Sequence, residues 1–334
     1  MAKKKNIFSY LPLNLRQVNR ISGAIGGNAN KEMNVLLLVD KTADQALLDY
    51  AQKQLLPLSQ NVSVDVVAYS DSRPKLKRDA DLTLIIAGNS SHTSTLVTYA
   101  HEFELDWAAI VCNPSVLTDG LATEEAKTIA ERIIPFFVEK EQSESEKNTL
   151  LALEAVFKEL ASILARKLPQ TRLALGRAWP FARAEIAQEL IRSVAFQNAM
   201  IAAAFFIPAA DMPVLTANQC RMLLQLSQLY GLELGNERLK EVGALIVSAF
   251  GARTLARMLV SRLGWFAWAM RASVAWSTTF AIGQAGIAFY SHGGKLKIPD
   301  FQGLKNFPLS FKSSIAQKPS CELSNLQASI TKSD

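Results

Sequence analysis

The chain has 334 residues, 49% of them hydrophobic and 20% charged, with a net charge of +6. That composition excludes a disordered chain and leaves room for two domains, and a pI near 9.2 suits an anionic partner, either phospholipid headgroups or nucleic acid. Cys112, Cys220 and Cys321 stand far apart with no C-x-x-C pair, so neither a zinc module nor a disulfide framework is indicated, and a reducing compartment fits.

Residues 1–32 read as a basic, glycine-dotted arm. Met1-Ala2-Lys3-Lys4-Lys5 opens like a signal peptide, but Asn6, Ser9, Asn14, Arg16 and Gln17 interrupt the apolar stretch that should follow, so no cleaved signal is expected. From residue 33 short apolar runs alternate with helical patterns. NVLLLVD (34–40), VSVDVVAYS (62–70), DLTLIIAG (81–88), WAAIVCN (107–113) and IIPFFVE (133–139) are of strand type, while 43–55, 93–103 and 123–132 have helical spacing. Runs of this length between helices predict an α/β domain over 33–140 with a doubly wound, mainly parallel sheet. No convincing strand follows. Residues 141–183 read as a helical, basic linker, with Trp179 and Phe181 among arginines. Residues 184–294 read as an all-α bundle with helices at about 184–207, 212–230, 237–262 and 264–290, and 295–334 as a polar tail.

An α/β sheet binds ligands at the carboxyl ends of its strands. The first strand ends at Asp40 and the next residues are KTADQA, without the glycines and lysine that cradle a phosphate. SGAIGGNAN (22–30) is glycine-rich, but it precedes its strand and reads as a linker. The order of elements over 33–139 nevertheless resembles the Era-like small GTPase domain. Asn113 matches the asparagine of the guanine motif, whereas Pro114 and Val116 replace its lysine and aspartate, and DSRP stands where D-x-x-G would sense the γ-phosphate. The resemblance implies a GTPase relic unable to hydrolyse GTP; the alternative is an unrelated doubly wound domain. No cofactor is expected. Asp40, Ser90 and Asn113 are the best enzymatic candidates, with Asp40 and one of Ser90, Ser91 or Thr93 reading more simply as helix caps. His92, His101 and His292 do not share metal-ligand spacing.

Ala199 to Ala210 carry no polar side chain, too short a run to cross a bilayer alone. Pro208 ends the helix, Asp211 follows, and Met212-Pro213 opens the next. Asp211 reads as a helix-start residue rather than an ion-translocating carboxylate, and TANQ (216–219) matches a capping box. Met222, Leu223, Leu226, Leu229 and Tyr230 form one stripe, with Arg221, Gln225 and Gln228 away from it, and Gly231 closes the helix as a left-handed residue. The last helix, 264–290, carries Trp265 and Trp268 near its start, as an interfacial belt would, and an Arg271 that must face a bundle interior, a polar cavity or headgroups.

IPAADMPVLTANQCRMLLQLSQLYGLEL and GWFAWAMRASVAWSTTFAIGQAGIAFY resemble the bacterial GTPase-associated membrane domain of unknown function, over about 185–294. Its marks are the Pro208–Asp211–Pro213 turn, the pair Gln219 and Met222, and Tyr230-Gly231. The resemblance implies membrane association, coupling to a GTPase-like module and no established activity. The expected function is thus a membrane-associated, non-catalytic protein with a partner-binding, pseudo-GTPase-like domain. It would be held on the cytoplasmic face of a bacterial inner membrane, with 194–210 and 264–290 as entry segments and the second long enough to cross. Its expected partners are the lipid bilayer, a GTPase or another membrane protein, and a second copy. The alternatives are a soluble α/β enzyme and a nucleic-acid binder using 166–183, the latter without any recognisable nucleic-acid-binding signature.

Overall fold

The computed structural model describes residues 30–70, 79–113, 128–137, 145–204, 212–232 and 267–293. Residues 1–29 of the N-terminal arm, half of the helix expected at 123–132, the helix expected at 237–262, the tail, and Pro208, Asp211 and Trp265 lie outside the described residues.

Five strands, β1 (Met33–Asp40), β2 (Val62–Tyr69), β3 (Leu82–Ala87), β4 (Trp107–Val111) and β5 (Ile133–Pro135), form one sheet in the order β2-β1-β3-β4-β5. Every pairing is parallel. Among the described residues α1 (Gln45–Gln54) and α2 (His92–Glu102) are threaded between strands. The strand-type runs fall where their apolar density demanded. β3 and β4 are buried at every residue and β2, at the edge, only at its ends. The two-residue period sorts the sheet into two faces. Leu37, Leu84, Ile86 and Ile110 turn one way, towards α1 and the helical region. Leu36, Leu38, Ile85 and Trp107 turn the other way, under Leu96, Val97 and Ala100 of α2.

Among the described residues the helical region contains α3 (Ser145–Lys167), α4 (Arg172–Ala178), α5 (Pro180–Ala204), α6 (Met212–Leu229) and α7 (Ala267–Ser291). α3 lies on the first face of the sheet, where Phe157 packs edge-on against Tyr50 of α1 at 5.0 Å and against Phe181 of α5 at 5.2 Å. α5 in turn packs along α7, and α6 against both. One buried cluster runs without a break from Met33 and Leu84 through Phe157 and Trp179 to Leu223 and Tyr290. Trp179, read in the sequence among basic residues, is fully buried and donates from Nε1 to the Leu55 carbonyl at 3.0 Å. It is therefore a core residue and not an exposed stacking platform for bases.

α6 differs from its sequence reading in two ways. It begins at Met212, so Thr216 and Gln219 sit beyond its first turn, fully buried, and TANQ caps nothing. Gln225 and Gln228 are buried too, because α4, α5 and α7 all pack against α6 and leave little of it to solvent. At its other end Gly231 has φ +75°, Leu232 N–H reaches Ser227 O at 3.0 Å and Gly231 N–H reaches Gln228 O at 2.9 Å, a Schellman closure. α7 occupies the segment expected to cross, yet no helix among the described residues is long and apolar enough to cross a membrane.

Candidate functional site

The order β2-β1-β3 places the reversal of the winding between β1 and β3, the crevice where open α/β sheets take their ligands. Asp40 stands at its floor, fully buried. Its Oδ1 accepts Thr42 N–H at 2.9 Å and the Thr42 hydroxyl at 2.8 Å; its Oδ2 accepts Gly88 N–H at 2.9 Å and Ser90 N–H at 3.1 Å. Asp40 is thus no helix cap. That role belongs to Asp44, which accepts from Ala46 N–H and Leu47 N–H. Three backbone N–H groups converging on an anion are what a phosphate would seek, and here the anion is the chain's own carboxylate. Gly88 closes the crevice further, since a Cβ on it would run into the Thr42–Ala43 peptide. Asn89 N–H donates to Thr42 Oγ1 at 2.8 Å, and Asn113 Nδ2 donates to Asn89 Oδ1 at 3.2 Å.

Asp40, Ser90 and Asn113 are therefore brought into one neighbourhood, but as stitching. Ser90 donates its hydroxyl to Ser70 O at 3.1 Å and accepts His92 N–H at 3.3 Å, so the start of α2 is capped by Ser90 and not by Ser91. Beside them Tyr69 is buried at the end of β2, and burial pushes its phenol up to about 12, with the Thr93 hydroxyl facing it and easing the shift and the Asp40 charge adding to it. The two hydroxyls face one another without closing a full hydrogen bond. No group of three or more metal-ligating side chains occurs among the described residues.

The helical region holds a second constellation, buried and polar. Asn198 of α5 donates from Nδ2 to Thr279 Oγ1 of α7 at 3.0 Å, and Gln219 of α6 donates from Nε2 to the same oxygen at 2.9 Å. Asn218 Nδ2 donates to Asn198 Oδ1 at 2.8 Å. Gln219 Oε1 and Thr216 Oγ1 are buried with no hydrogen-bond partner among the described residues. One level along the same seam, Gln188 and Gln284 exchange amide hydrogen bonds at 2.8 and 3.3 Å. Of the residues singled out by sequence, Gln219 joins the polar layer and Met222 fills the core next to it. Pro213 is exposed in the first turn of α6. Tyr230 lies 5.7 Å under the Arg183 guanidinium. Asn198 and Thr279 escaped sequence reading as site residues. Asn198 shows there only as a polar break beside an apolar run, and nothing in the sequence pairs it with a threonine 81 positions away.

The outer surface of α5 and α7 is the third feature. Phe196 is 63% exposed, Trp268 54% and Trp276 42%, with Met200 and Met270 also exposed. A groove of about 480 Å³ runs between Ala199 of α5 and Ala272, Trp276 and Ser277 of α7. Arg271, half-buried, stands one turn from Trp268.

Residues 178–291 match the family described as Domain of unknown function (DUF697). The match covers α5, α6 and α7, the polar layer and the exposed groove, and leaves the sheet outside it. No curated protein shows significant similarity to the chain.

Proposed function

We propose that this is a membrane-associated, non-catalytic protein whose helical region meets anionic lipid and whose α/β region is a ligand-free relic used for binding a protein partner. One observation carries the membrane half. Phe196 and Met200 of α5 and Trp268, Met270 and Trp276 of α7 are large apolar side chains exposed on two helices that pack along one another. Aromatic and apolar side chains exposed together on a helix pair, with Arg192 exposed one turn before Phe196, suit the boundary between headgroups and acyl chains. The closed crevice at Asp40 supports the non-catalytic half and speaks against the soluble-enzyme reading.

Fractionation of cells expressing the full chain tests the membrane half. The protein should pellet with membranes at low salt, and full recovery in the soluble fraction at low salt would remove the proposal.

A further inference from the structure

The crevice at the end of β1 is built from two loops that hold one another through contacts outside the Asp40 carboxylate. Asn89 N–H reaches Thr42 Oγ1 at 2.8 Å, and Gly88 lies flat against the Thr42–Ala43 peptide, where a Cβ would collide. Each donor of the crevice is also anchored from behind. Lys41 N–H reaches Tyr69 O at 2.9 Å and fixes the residue before Thr42. Cys112 N–H reaches Ala87 O at 2.9 Å and fixes the residue before Gly88. Ser90 is held by its hydroxyl on Ser70 O at 3.1 Å and by Thr93 N–H on Ser90 O at 3.2 Å. The donors that face Asp40 are therefore a preorganised set, and the carboxylate is their guest.

The way these donors are shared out defines the guest. Thr42 N–H and the Thr42 hydroxyl converge on Oδ1, and Gly88 N–H and Ser90 N–H on Oδ2. Two donors on each of two oxygens match a planar carboxylate. A tetrahedral phosphate brings two further oxygens for which this set holds no donor, and the contact of Gly88 with the Thr42–Ala43 peptide leaves no room for them. The set also lies just beneath the surface. Asp40 and Gly88 are buried, while Thr42 and Asn89 beside them are exposed.

Resting on the reading of the α/β region as a ligand-free relic, we propose that the crevice is a receptor for a small carboxylate anion, kept shut by Asp40 as its own tethered ligand. The tether gives the Asp40 carboxylate a high effective concentration, so a free carboxylate does not displace it. Asp40→Gly removes the plug and keeps the donors. Acetate, which is the deleted side chain set free, then fits the space left, and formate fits it more loosely.

The test is thermal unfolding of the full chain in chloride, acetate, formate and phosphate at one pH and one ionic strength. Wild type has the same midpoint in all four. Asp40→Gly melts lower in chloride and regains roughly 2–4 °C, saturably, once acetate stands about ten-fold above its Kd. Formate acts in the same direction and phosphate does not. Adding Thr42→Val to Asp40→Gly removes one donor to the anion and raises the acetate needed by about ten-fold. An Asp40→Gly chain indifferent to acetate would overturn the receptor and leave the relic reading standing. Wild type stabilised along the same acetate curve would overturn both, because the crevice would then be open. An equal response of Asp40→Gly to phosphate would overturn the carboxylate geometry. Should Asp40→Gly be unfolded in chloride, circular dichroism decides: acetate restores the folded signal, and a signal that stays unfolded at every acetate concentration overturns the proposal.

Discussion

Asp40 Oδ2 holds Gly88 N–H at 2.9 Å across two strands whose residues are 48 positions apart, and so ties the end of β1 to the end of β3. Asp40→Ala leaves the buried N–H groups of Thr42, Gly88 and Ser90 without their acceptor. We expect a loss of at least about 2 kcal/mol in urea unfolding, given a cost of ~1–3 kcal/mol for a buried donor left unpaired. Asp40→Asn keeps the volume and one acceptor oxygen and should fall between.

The same carboxylate should exclude nucleotide. Calorimetric titration of the full chain with GTP and magnesium is expected to show no saturable heat. Micromolar binding would mean that the stitched loops open, and would end the reading of the sheet as a ligand-free relic.

Thr279→Val removes the oxygen that accepts from both Asn198 and Gln219 and strands two buried amide donors, which should cost about 2 kcal/mol or more. Gln219→Met should cost less, because it also removes an acceptor, Oε1, that is already without a partner. Equal costs for the two variants in matched thermal melts would show that the layer is not organised around Thr279.

Gly283 sits where a Cβ would come within 2.6 Å of Ile191 Cγ1. Gly283→Val should destabilise by about 1–3 kcal/mol through overpacking. Adding Ile191→Ala, which makes room, should return part of that loss, a coupling read from a double-mutant cycle.

Tyr69 carries a pH dependence of definite sign. Its phenol is raised from 10.0 to about 12 in the fold, chiefly by burial, so the native state holds the proton more tightly than the unfolded chain. The resulting contribution to stability is complete below pH 10 and is lost as pH rises towards 12. Unfolding followed across that window should show a smaller loss of stability for Tyr69→Phe than for wild type.

Much of the sheet was legible because a fully buried parallel strand leaves an unmistakable trace: LTLIIA and WAAIV admit no polar face. The role of Asp40 was not legible, since an acid just before a helix looks alike whether it caps that helix or reaches to a neighbouring strand. Only the β1–β3 adjacency distinguishes the two, and Asp44, four residues on, takes the cap. Gln225 and Gln228 were placed outside by helical period, a rule that presumes one wet face, and α6 has almost none. TANQ misled for a related reason: a capping box marks a helix start only where no earlier start exists, and Met212-Pro213 is one. The polar layer joins three helices distant in sequence, and no local pattern announces it.

The indole of Trp179 reaches the Leu55 carbonyl, and Leu58 N–H reaches Ala178 O at 2.9 Å, so the turn after α1 is fastened to the point where α4 passes into α5. Two adjacent residues, Ala178 and Trp179, therefore act as one clasp between the loop after α1 and the start of α5, so a substitution at Trp179 would loosen the sheet layer and the helices at the same point.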